Sequence, residues 1–114
     1  IRAWWEEDRE KTQHFFNNML HEAGTAPYYA EPWICDKIIT NHLNSPAMLT
    51  ILPLQDWLSI DGKLRRKNPQ EEQINVPANS KHYWRYRMHL TLEELINQKD
   101  FNNTLKHKII NSGR

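Results

Sequence analysis

The sequence predicts an α/β protein whose sheet is incomplete: a mostly helical stretch with one short strand. Three observations carry this. Ala47 to Leu52, AMLTIL, is an unbroken apolar run closed by Pro46 and Pro53, which reads as a strand buried on both faces. Helical patterns stand on either side of it, and a helix, strand, helix succession is the grammar of α/β folds. No second run of comparable β character appears in the 114 residues, although a strand needs a neighbour to satisfy its backbone groups.

The elements follow in order. From Trp4 to Ala23 there is no Gly or Pro, and Phe15, Phe16, Met19 and Leu20 share one helical face, so one helix is expected, ended by Gly24. Its middle, Glu6 to His14, is polar, so only its ends are expected to be buried. Pro32 suits the first turn of a second helix, in which Ile34, Cys35, Ile38, Ile39 and His42 recur at helical spacing until Asn44, Ser45 and Pro46 stop it. LQDWLSI after Pro53 makes a short helix, with a turn at Asp61 and Gly62. Lys63 to Lys81 is polar, proline-punctuated and irregular, a length of loop that is usually functional or disordered. Thr91 and Glu94 form a capping-box pattern for a short helix through Gln98. Asp100 is placed to cap a last helix that buries Phe101, Leu105 and Ile109, with Gly113 beyond its end.

At this length residues 1 to 114 make one domain. With 39% apolar and 25% charged residues, the core is expected to be modest. Fifteen Lys and Arg against fourteen Asp and Glu leave a net charge of +1, too little by itself to mark a polyanion binder. The lone cysteine, Cys35, excludes an internal disulfide and a multi-cysteine zinc site. No apolar run approaches the ~20 residues that span a bilayer, so no membrane partner is expected. The chain opens on Ile1 and runs straight into charge, without the pattern of a secretory signal. It is expected to be a piece of something larger.

The chemistry-bearing residues are sparse in pattern. No pair of carboxylates stands out by spacing. Asp56 is the exception in position, because it follows the apolar run directly, where α/β barrels gather site residues. The six histidines show no metal-ligand spacing, and three scattered glycines make no phosphate-cradling loop. No metal, no cofactor and no catalytic residue is predicted from these patterns. Lys81–His89, KHYWRYRMH, interleaves rings and cations, with KLRRK at Lys63–Lys67 upstream. Such a segment can stack bases while tracking phosphates, or offer ring faces to sugars. Its period-two alternation also fits an extended strand burying one side. A small helical nucleic-acid-binding module using Lys63–Lys67 and Lys81–His89 is therefore the alternative function.

PAMLTILPLQDWL, followed by QINVPANSKHYWRYRMHLTLEEL, resembles the C-terminal end of 4-alpha-glucanotransferases, the amylomaltase or disproportionating-enzyme family. RAWWEEDREKTQ resembles the segment after that family's barrel strand seven, EPWICDKII its next helix, and AMLTIL its strand eight. NVPANSKHYWRYR with TLEEL is more similar to the branch that acts on maltose. Ala3, Leu49 and Ala78 depart from what is common in the family.

The resemblance implies the closing βα portion of a (β/α)8 TIM barrel. The whole enzyme would move α-1,4-glucan segments from donor to acceptor with retention, through a covalent glycosyl-enzyme. The implied partners are α-1,4-glucans, maltose and malto-oligosaccharides, without nucleic acid, and the implied location is cytoplasmic. The catalytic carboxylates precede this stretch, so no residue here inherits a catalytic role. Asn75, and after it Gln55 and Asp56, are implied to line the glucan site, while Trp84 and Arg85 match a supporting aromatic and basic motif. Taken alone, such a fragment is expected to be inactive and to self-associate, because its barrel neighbours are missing.

Overall fold

The computed structural model describes all 114 residues. Six helices form: α1 (Arg2–Glu7), α2 (Arg9–Asn18), α3 (Pro32–Leu43), α4 (Leu54–Leu58), α5 (Leu92–Asn97) and α6 (Lys99–Asn111), with a 3₁₀ turn at Pro69–Glu72. There is no strand. The expected strand, Ala47 to Leu52, pairs with nothing, and far from being buried on both faces it leaves Met48 98%, Leu49 73% and Ile51 81% exposed. The physical reason is the missing neighbour: no other segment of this chain offers a free edge, so neither a hydrogen-bond ladder nor burial is available.

The expected first helix is two. Asp8 takes an extended conformation, φ −138° and ψ 106°, and its Oδ1 accepts the backbone N–H groups of Glu10 and Lys11, each at 3.1 Å. A carboxylate that caps the following turn competes with continuation of the preceding one. Those backbone donors and the Lys11 ammonium hold the Asp8 carboxyl below its usual range, and Asp8 in turn raises Lys11. Nor does α2 run to Gly24. It stops at Asn18, and the chain leaves through His21 in the left-handed region at φ 54°, a conformation that costs a non-glycine residue roughly 1 kcal/mol. The middle of this stretch is not all solvated either: Thr12 is fully buried, and its hydroxyl donates to the Trp5 carbonyl at 2.7 Å.

α3 forms as its spacing predicts and supplies the core. Ile34, Cys35 and Ile38 pack with Trp5, Phe16, Leu20, Ala26 and Ala30 in the main cluster, while Leu58, Leu64 and Phe101 make a smaller one. His42 stays at the surface and turns its Nδ1 to the Ile38 carbonyl at 2.8 Å. Burial pushes the Cys35 thiol up, which suits a packed residue and not a nucleophile.

The capping box is complete: Thr91 N–H donates to Glu94 Oε2 at 2.7 Å, and Glu94 N–H to the Thr91 hydroxyl at 3.1 Å. α6 begins at Lys99, so Asp100 lies inside the helix and does not cap it. Of its expected core residues, Phe101 is buried, Leu105 half-buried, and Ile109 38% exposed. α6 ends in a Schellman arrangement, with Gly113 at φ 76°, Gly113 N–H on the Ile110 carbonyl and Arg114 N–H on the Ile109 carbonyl. Lys108 reaches Asp36 and Thr40 on α3, and Arg114 donates to the carbonyls of Leu43, Ser45 and Ala47 at 2.7, 2.9 and 2.7 Å.

Candidate functional site

The largest cleft, about 670 Å³, opens between α1, the start of α4 and the 3₁₀ turn. Gln55 and Asp56 enter it because α4 starts directly after Pro53, which lacks the N–H that a helix start does not need. Trp4, Glu6 and Glu7 come from α1, Gln70, Glu72 and Gln73 from the region of the 3₁₀ turn, and Tyr28 from the loop between α2 and α3.

One buried arginine organises this ground. Arg2, 5% exposed, donates Nη1 to Glu72 Oε1 at 2.8 Å and to the Arg66 carbonyl at 2.7 Å, and Nη2 to the Lys67 carbonyl at 3.2 Å. Gln55, also buried, donates Nε2 to the Glu72 carbonyl at 3.3 Å. Together they pin the irregular stretch after Lys63 to α1 and α4. Burial pushes the Glu72 carboxyl above the usual carboxylate range, against the pull of the Arg2 guanidinium beside it. Asp56 accepts the Ile1 amino nitrogen at 2.9 Å.

Two of the three residues singled out in the sequence thus meet in the cleft. Gln55 acts there as a tether, whereas Asp56 presents a partly exposed carboxylate. Asn75 lies outside the cleft lining, exposed, with its carbonyl accepting Gln73 Nε2 at 2.8 Å. Arg2, Glu72, Trp4 and Tyr28 were not singled out. The Arg2–Glu72 pair spans 70 positions, a separation at which no local pattern signals contact. Tyr28 had a weak signal, two adjacent rings in a loop with no helical face to bury them.

Two of the seven cations in these segments, Arg65 and Arg66, are held by the chain itself. Arg65 donates to the Ala30 carbonyl at 2.7 Å, and Arg66 donates to Glu71 at 2.9 Å and to the Arg87 carbonyl at 2.7 Å. His82 and His89 face the carbonyls of Ile74 and Leu64, each at 2.7 Å. In Lys81–His89, Tyr86 and Met88 are half-buried while Tyr83, Arg85 and Arg87 are out, which follows the alternation; Trp84, 73% exposed, breaks it. Nothing in this arrangement favours a nucleic-acid groove. No grouping of three His, Cys, Asp or Glu side chains is arranged to hold a metal ion. No helix is long and apolar enough to cross a membrane.

The cleft is walled by rings, carboxylates and amides. The family model described as 4-alpha-glucanotransferase matches residues 1–92, so the chain belongs to that family. It is also 39% identical, over all 114 residues, to a rice (Oryza sativa subsp. japonica) protein named 4-alpha-glucanotransferase DPE2. The chain spans only 12% of that relative's length. No solved structure matches it significantly.

Proposed function

We propose that this chain is the closing βα portion of a (β/α)8 barrel in a cytoplasmic 4-alpha-glucanotransferase, and that its cleft holds part of an α-1,4-glucan during transfer. The observation that carries the reading is the coincidence of family and place. Gln55 and Asp56, implied by the resemblance to line the glucan site, lie in the largest cleft of a chain that belongs to the glucanotransferase family.

Retaining transfer needs a nucleophilic carboxylate and an acid/base carboxyl ~5 Å apart. The nucleophile attacks the anomeric carbon while the acid protonates the departing oxygen. The same group then takes the proton of the acceptor hydroxyl as the glycosyl-enzyme is cleaved. Within this chain Glu72 is committed to Arg2. In this reading the chain holds sugar, and the reacting carboxylates belong to the rest of the enzyme. Asn75 stands close in sequence to the cleft residues Gln73 and Ile74. Maltose and malto-oligosaccharides are the expected partners.

The isolated Ala47–Leu52 segment fits the same reading, since a barrel strand excised from its neighbours has no ladder. The test is disproportionation of maltotriose. The full-length protein is expected to release glucose and longer oligomers, and the 114-residue chain to release none. Turnover by the isolated chain would overturn the assignment of the chemistry to the missing part. Its absence from the full-length protein would overturn the function.

A further inference from the structure

We propose that Tyr28 and Tyr29, together with Trp4, form a stacking rim that takes pyranose rings of the glucan in the neighbouring cleft. The proposal rests on the glucan reading above and goes beyond it by assigning a subsite to the loop between α2 and α3. Trp4 and Tyr28 line the cleft that contains Asp56. The two tyrosines are 58% and 59% exposed, and their rings meet edge to face with centroids 4.9 Å apart. Trp4 is 43% exposed and is steadied edge-on by Phe15, centroids 5.2 Å apart.

The loop that carries the tyrosines is tied at almost every step. Trp5 Nε1 and Arg9 Nη1 both donate to the Pro27 carbonyl at 3.0 Å, and Arg9 Nη2 donates to that of Ala26 at 2.7 Å. Gln13 closes the other side, donating to the Gly24 carbonyl at 2.9 Å and accepting Ala26 N–H at 2.8 Å. The Arg9 guanidinium also lies over the Tyr28 ring, 5.4 Å from its centroid. Rings held this way bind without first being ordered, which preserves affinity.

The surroundings select the ligand. Glu6 and Glu7 flank Trp4 in the cleft and repel a phosphate-bearing chain, while their oxygens accept hydroxyl protons. Arg9, the cation over the Tyr28 ring, is spent on loop carbonyls. What remains suits a neutral polyhydroxylated ring with an apolar C–H face, which an aromatic surface matches.

The test uses the full-length enzyme and malto-oligosaccharides. Tyr28→Ala and Tyr29→Ala are expected to raise KM about tenfold while kcat holds, and Tyr28→Phe to keep the wild-type KM because the ring remains. If an alanine variant fails to fold, Tyr28→Trp decides, with a KM at or below wild type expected from the larger face and a raised KM counting against the rim. An unchanged KM in the alanine variants overturns the proposal and leaves the glucan reading standing. A lowered melting temperature with unchanged KM assigns the rings to contact with another segment of the enzyme, and overturns it too. Absence of transfer by the wild-type enzyme removes the glucan reading, and the rim with it.

Discussion

Replacing Arg2 by Met is expected to free the stretch around Arg66 and Lys67 from the body of the chain. Arg2 and Glu72 keep side-chain exposures of only 6% and 11%, with N and O 2.8 Å apart. Removing one partner of a buried pair costs about 3 kcal/mol, because the other charge is left uncompensated. The two carbonyls that Arg2 satisfies, on Arg66 and Lys67, lose their donors as well. Three kcal/mol is about a hundredfold in an opening equilibrium, and proteolysis of a transiently opened segment follows that equilibrium when reclosing is fast. Trypsin supplies the assay, since both residues are its targets. Cleavage there is expected to rise about a hundredfold in Arg2→Met at pH 7 and less in Arg2→Lys, which keeps the charge without the fork. The pH dependence has a definite sign. Burial raises the Glu72 carboxyl, so its folded-state contribution is fully favourable below the ordinary carboxylate range and is lost as pH rises through the raised value. The Arg2→Met defect should therefore shrink toward acid pH, where Glu72 takes up a proton, and Glu72→Gln should remove that dependence. Equal cleavage of wild type and Arg2→Met at pH 7 would refute the tether.

Three further outcomes are expected. Thr12→Val strands the Trp5 carbonyl that the buried hydroxyl now serves at 2.7 Å, costing about 1 to 3 kcal/mol, read as a lower midpoint in urea; an unchanged midpoint argues against the bond. Cys35 should alkylate at pH 8 far more slowly in the native chain than in urea, because burial both shields the thiol and raises it; equal rates would contradict its burial. The isolated chain should self-associate through its exposed apolar segment, and Leu49→Lys with Ile51→Lys should return it to a monomer by sedimentation velocity; a wild-type monomer counts against this.

What could be read from the sequence was local, and what could not was long-range. Pro32 and the spacing of Ile34 to Ile39 announced α3, and Thr91 with Glu94 announced α5, since a cap and its helix lie within one turn. The break at Asp8 was also local but hidden, because Asp is ordinary in a first helical turn and becomes a breaker only once it captures the N–H groups of Glu10 and Lys11. The apolar run at Ala47 expressed a preference for burial that its own chain does not meet. Asp56 stands out by its position after that run, and Gln55 by likeness alone. The tethers from Arg2 and Gln55, which shape the cleft, join residues whose pairing only the folded backbone determines.

The grip of Arg114 on the carbonyls of Leu43, Ser45 and Ala47 has an implication for variation. Every amino acid carries a carbonyl, so substitutions at those three positions leave the acceptors in place. The C-terminal helix can keep its moorings while the side chains beneath it change. A single alteration on the donor side, at position 114, severs all three lines at once.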